Sequence, residues 1–288
     1  MDNKNIGVNL TQEEIMFVKI PEALILNKDV YAERIALYCW LRMNSQIVVD
    51  WINIKTIDNA IYHFSKVVYD KKELCKWLGF NTRSQAHYNN SVSPINRIKA
   101  IISFFEKLNI LSDVQHIKHT MKSATFKELQ DTRFVKIYSD EITKIISNIN
   151  SKINKATVIL VLAYLRLKIP YNSNDIFYIE SYNTFYETIG EDIGIDRRQI
   201  KKSIEFLSEL GIIYFEDYTY TSGSFKIATH IFTNVYKRDS ANGVLIASGK
   251  DYYEPIVKAK KQALDKYFKK CIINGEKITE ELLNENTM

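Results

Sequence analysis

Four cations, Arg197, Arg198, Lys201 and Lys202, fall within six residues of the chain, with Gln199 among them. On a helical wheel centred on Ile200, Arg198, Lys201, Lys202 and Glu205 turn away from an apolar stripe of Ile200, Ile204, Leu207 and Leu210. A helix that enters a major groove needs this division, one face to dock on its own domain and an opposite face of donors. Arg197 and Arg198 stand in the first turn, the part that reaches base edges, and the carboxamide of Gln199 suits an adenine edge. The N-terminus of the helix adds a partial positive charge that favours phosphate. Pairs of cations are also common on ordinary solvated helices, so the surrounding elements must decide.

Other chemistry is missing from the sequence. It contains no GxxxxGK[ST] or GxGxxG loop, which leaves an ATPase or a dinucleotide enzyme without support. The histidines at 63, 87, 116, 119 and 230 form no metal signature, and His116 and His119 have no cysteine or acidic partner beside them. Cys39, Cys75 and Cys271 are odd in number and far apart, which fits a reduced cytoplasmic protein better than a disulfide framework. Tyrosine is abundant, yet no His-hydrophobic-His pair accompanies one, which disfavours a nicking nuclease. No catalytic residue, metal or cofactor is expected.

The 288 residues include 39 Lys+Arg against 34 Asp+Glu, a net charge of +5 that permits a polyanionic partner without establishing one. Hydrophobic residues at 46% and charged residues at 25% suit a folded soluble chain of about two domains. No apolar run approaches the roughly 20 residues of a membrane span, and the N-terminus lacks a signal-peptide core.

The chain also repeats itself. Phe17-Val18-Lys19-Ile20 recurs as Phe134-Val135-Lys136-Ile137, followed in both copies by an apolar helix, ALYCWLRM at 36–43 and LVLAYLRL at 160–167. A glycine break comes next, at Gly79 and Gly194, and then a helix running into a strand, 95–111 and 197–213. Aligning Ile98 with Ile200 pairs Lys99 with Lys201, Phe104 with Phe206 and Leu108 with Leu210. Four landmarks in one order imply two related domains, at 15–132 and 133–249, after a tail at 1–14 and before a basic helix and acidic tail at 250–288.

The elements of the second copy are expected as a buried helix at 155–168, a short strand at 176–179 and a helix at 182–193. A tight turn at Gly194, a helix at 197–210 capped by Asp196, and strands at 212–216 and 225–235 complete it. The first copy is expected to follow with helices at 32–44, 71–78 and 94–108, a strand at 67–69, and strands around a turn at 119–124. Asp70 and Ser93-Pro94 are its helix-start signals. It adds a helix at 57–64 and a polar loop at 81–92. This order is that of a winged helix-turn-helix. The fold class is therefore α+β, mainly helical, with two tandem winged helix-turn-helix domains and a C-terminal helix.

In the first copy the face matching the cationic helix carries Asn96, Arg97, Lys99 and Ser103, while Lys118, His119, Lys122 and Lys127 offer a phosphate-binding wing. Double-stranded DNA is the expected partner, with base reading by the second domain and backbone contacts or a dimer surface from the first. At 255–273 an apolar stripe with lysines around it should pack on the protein itself.

Two winged helices on a basic chain without enzyme motifs resemble the replication initiators of plasmids and phages in Gram-positive bacteria. The opening FVKIPEAL at 17–24, with the apolar helix at 37–43 behind it, looks like the domain start of those initiators and of related phage replisome organisers. The resemblance implies binding to repeated origin sites, dimerisation through one domain and recruitment of host replication proteins. It carries recognition-helix positions over to Arg197, Arg198, Gln199, Lys201 and Lys202 alone. A winged-helix transcriptional regulator and a helicase-loader-like interaction module are the alternatives.

Overall fold

Val18 and Ile20 are fully buried while Lys19 between them is exposed, the alternation of a half-buried strand, β1 (Phe17–Pro21). The computed structural model describes residues 17–27, 32–48, 64–80, 93–118, 121–129, 133–148, 153–169, 181–222, 225–234, 236–238 and 245–248, with isolated positions from 255 to 270. After β1 come α1 (Glu22–Ile25), α2 (Ala32–Met43), β2 (Ser45–Val48), β3 (Phe64–Asp70), α3 (Lys71–Trp77), α4 (Pro94–Lys107), β4 (Leu111–Lys118) and β5 (Met121–Phe126). The second half has β6 (Phe134–Tyr138), α5 (Ser139–Ser147), α6 (Lys155–Lys168), β7 (Ser181–Thr184), α7 (Tyr186–Ile193) and α8 (Arg197–Glu209). Then follow β8 (Ile213–Ser222), β9 (Phe225–Asn234), β10 (Tyr236–Arg238) and β11 (Leu245–Ser248). The protein is thus mixed helix and strand, its described strands forming small antiparallel sheets in the orders β1-β6, β2-β3-β5-β4, β7-β9-β8 and β10-β11.

The repeated tetrapeptide pairs with its own repeat. β1 and β6 run antiparallel with Lys19 opposite Lys136, Val18 opposite Ile137 and Ile20 opposite Val135. Their outer faces are related by a local two-fold: Lys19 Nζ lies 5.0 Å from the centre of the Phe134 ring, and Lys136 Nζ lies 4.6 Å from that of Phe17. Behind this ribbon α2 packs against α6. From Ala156 to Leu165 every residue of α6 is buried, as expected of a helix apolar on all sides. Buried residues of both copies form one continuous core.

A buried ion pair fixes the second half of this junction. Nη1 and Nη2 of Arg166 on α6 each donate to the Glu141 carboxylate at 2.6 Å, and Nη1 also donates to the carbonyl of Lys136 at 2.8 Å. Glu141 has no solvent exposure and also accepts from the amide of Tyr138 at 3.0 Å, so the carboxylate is well supplied with donors. The matching Arg42 of α2 pairs instead with Glu128, which keeps 34% of its side chain exposed.

Three expectations change. The second-copy helix expected from 182 begins at Tyr186; Ser181–Thr184 is strand β7, zipped to β9 from Ser181 opposite Thr233 to Thr184 opposite His230. Cross-strand pairing overrides the weak local preference of SYNT. The first-copy hairpin turn is shorter than 119–124, because β5 starts at Met121 and places Lys122 within the strand. Phe64, expected to end a helix, opens β3, and the rest of 57–64 lies outside the described residues. The loop at 81–92 and the strand at 176–179 also lie outside them. In the expected C-terminal helix, Lys258, Lys266, Lys269 and Lys270 are helical and exposed, while its apolar stripe is outside the described residues. Among the described residues no helix is long and apolar enough to cross a membrane.

Candidate nucleic-acid interface

Helices α7 and α8 meet at a turn with little room. Gly194 takes a left-handed φ of 69°, and the amide of Ile195 donates to the carbonyl of Gly190 at 3.1 Å. A Cβ on Gly190 would stand 2.4 Å from the carbonyl oxygen of Ile195, so glycine alone permits this approach. Asp196 then caps α8, its carboxylate accepting from the amide of Arg198 at 2.9 Å. The cap occupies part of the helix N-terminus that the sequence offered to phosphate. On the other side of the pair, Asp192 accepts from the Tyr164 hydroxyl at 2.6 Å and stands 3.4 Å from Lys168 Nζ, which ties α7 to α6.

The wheel drawn from sequence matches the placement of α8. Ile200, Ser203, Ile204, Phe206 and Leu207 are buried, and Arg197, Arg198, Gln199, Lys201, Lys202 and Glu205 are exposed. The five candidates Arg197, Arg198, Gln199, Lys201 and Lys202 therefore share one helix but differ in availability. Arg197 donates to Glu187 of α7 at 2.7 Å, and Lys201 stands 3.9 Å from Glu205. Exposed pairs of this kind are weak and open readily. The side chains of Arg198, Gln199 and Lys202 form no ion pair or hydrogen bond with the described residues.

In the first copy the candidates separate. Asn96, Arg97 and Lys99 are exposed on α4, and Ser93 caps that helix by accepting from the Asn96 amide at 3.3 Å. Arg97 is engaged within the protein: it pairs with Glu33 of α2, and its guanidinium lies 5.0 Å from the centre of the Phe80 ring. Sequence reasoning missed Lys71, the first residue of α3, whose ammonium feels the charges of Lys122 and Lys99. Burial, then the like charges of Lys122 and Lys99, hold the Lys71 ammonium below its ordinary pKa, with Glu106 opposing them. The only signal at Lys71 was its place behind the capping Asp70; nothing in the sequence brought it to Lys122. Lys118 ends β4 in an exposed position, Lys127 follows β5, also exposed, and His119 lies outside the described residues.

No group of three His, Cys, Asp or Glu among the described residues has the arrangement of a metal site. Cys39 and Cys75 are buried free thiols, both pushed above the usual thiol range by that burial. The Tyr69 phenol is raised to about 12 by burial and by the charge of Glu106, and Tyr69 stands opposite Lys122 in the β3–β5 register.

No protein-family model matches the sequence, and no curated protein matches it. Among solved structures, the chain is similar to the crystal structure of Pi initiator protein in complex with iteron DNA, with a TM-score of 0.40 and 10% sequence identity over 80% of this chain and 100% of that one.

Proposed function

We propose that this protein binds double-stranded DNA through two winged-helix units, near 15–132 and 133–249, and acts as a replication initiator of the plasmid or phage type. The observation that carries the reading is the solvent face of α8, where Arg198, Gln199 and Lys202 stand exposed on a helix held against its neighbour by a glycine-dependent turn. Such a face matches the donor and acceptor pattern of base edges, and a rigid turn presents it at a fixed angle. In this reading α8 inserts into the major groove. The first copy contributes contacts to phosphates, with Lys99, Lys118 and Lys122 as the ligands. Homodimerisation and recruitment of host replication proteins follow from the same family resemblance.

Selection of bound fragments from plasmid and genomic DNA by the purified protein, at stated salt, tests the reading. Directly repeated sites beside an origin are the expected result. Enrichment of a single promoter palindrome would replace the initiator with a transcriptional regulator. Recovery of no preferred site would move the protein to the class of interaction modules.

A further inference from the structure

We propose that Glu187 on α7 is a positioning residue for base reading, holding Arg197 of α8 so that its guanidinium meets a guanine in the major groove. This role rests on the DNA reading above and adds to it a residue outside α8. Arg197 Nη1 donates to the Glu187 carboxylate at 2.7 Å, across ten residues of chain. Glu187 and Gly190 lie three residues apart and share one face of α7, the face that meets the start of α8. Gly190 accepts from the Ile195 amide at 3.1 Å, and a Cβ there would stand 3.8 Å from the amide nitrogen of Arg197. The backbone is thus fastened at Gly190, and the first side chain of α8 is fastened beside it at Glu187. That first turn is the part of a recognition helix that reaches base edges.

The first copy lacks the second fastening. Matching the bond from Phe80 to Cys75 with that from Ile195 to Gly190 sets Lys72 in the place of Glu187, and the alignment of Ile98 with Ile200 sets Ile95 in the place of Arg197. A lysine and a half-buried isoleucine form no pair. The pair therefore accompanies the short turn, where the helix is presented at a fixed angle. The side chains of Arg197 and Glu187 are 63% and 51% exposed, so in the free protein their pairing adds little to folding. A docked duplex would cover them, and an ion pair taken out of water is stronger and more directional. With Nη1 engaged, the Nε–Nη2 edge is the one that can serve a base, and it offers donors alone. Guanine suits it, because N7 and O6 both accept; adenine sets a donor beside its acceptor. The carboxylate also offsets the charge of Arg197, so this arginine adds more to discrimination than to the salt-dependent attraction of phosphates.

Competition binding at stated salt tests the role, using the duplex that the full chain selects and the same duplex changed one base at a time. Arg197→Ala is expected to relax a guanine preference at one position by about tenfold. Glu187→Gln should relax the same position, leave the others and the melting temperature unchanged, and add nothing further in the Arg197→Ala protein. A rise in affinity for every duplex with all base preferences intact would make Glu187 a repelling charge and overturn the proposal. Relaxation at a different position, or an equal further loss in the Arg197→Ala protein, would overturn it as well, because Glu187 would then not act through Arg197. A wild-type chain that selects no site would remove the DNA reading itself, and this role with it. A selected site that Glu187→Gln leaves untouched would remove the positioning role alone.

Discussion

At their C-terminal ends, α4 and α8 are built alike to the level of single hydrogen bonds. Asn109 donates to Glu106 and Ile110 to Phe105; Gly211 donates to Ser208 and Ile212 to Leu207, at the alignment that pairs Ile98 with Ile200. Asn109 and Gly211 both adopt positive φ, 56° and 68°, as the turn requires. At their N-terminal ends the same helices differ. Each preceding helix closes with the same bond, Phe80 to Cys75 and Ile195 to Gly190, around a left-handed glycine. In the second copy α8 follows at once, and Gly190 has no room for a Cβ. In the first copy the chain from 81 to 92 intervenes before α4, and the matching residue is a buried cysteine. The helix exit is fixed by the hairpin it must feed, whereas the approach is constrained only where the turn is short.

The largest expected effect concerns the two matching arginines. Removing the carboxylate charge with Glu141→Gln leaves Arg166 buried without its counter-ion and should cost about 3–5 kcal/mol by urea denaturation. Arg42→Met, which breaks a more exposed pair, should cost no more than about 1–2 kcal/mol. Equal losses would mean that the two halves of the junction are supported alike. Next, Gly190→Ala should cost about 2–3 kcal/mol and abolish site-specific binding, because the new methyl meets a backbone carbonyl. Cys75→Ala at the equivalent place should cost only about 1 kcal/mol. A tolerated Gly190→Ala would show that the short turn can relax.

Binding variants probe the division of labour between the copies. Arg198→Ala should lower discrimination between cognate and scrambled sites by about 1–3 kcal/mol, as read by competition binding. Lys122→Ala should weaken both sites alike and leave their ratio unchanged. Matching losses from the two variants would remove the division. The smallest effect is at the helix exits: Asn109→Gly should stabilise by about 0.5 kcal/mol, and Gly211→Ala should destabilise by about 1 kcal/mol. Both are measurable as opposite shifts in the denaturation midpoint.

What the sequence revealed was local. Asp70, Ser93 and Asp196 all cap the helices they were expected to cap, and Gly194 ends α7 in the left-handed region, because caps depend on residues three or four apart. The apolar stripe of α8 was readable for the same reason. The pairings across long separations were not. Phe17–Ile20 was visible as half of a repeat, but nothing in four residues says that the repeat is its own partner strand. Arg97 looked like a groove-facing cation until α2 brought Glu33 beside it. Strand β7 is made of residues with no strong preference of their own and exists through β9.

The β1–β6 ribbon also sets an order for folding during synthesis. β1 leaves the ribosome first, but its partner follows only after all of β2 to β5 has been made. Until then β1 lacks its partner strand, and the surface of α2 that meets α6 is uncovered. A nascent chain ending near residue 130 is therefore expected to be sticky and protease-sensitive, gaining protection only once α6 has emerged.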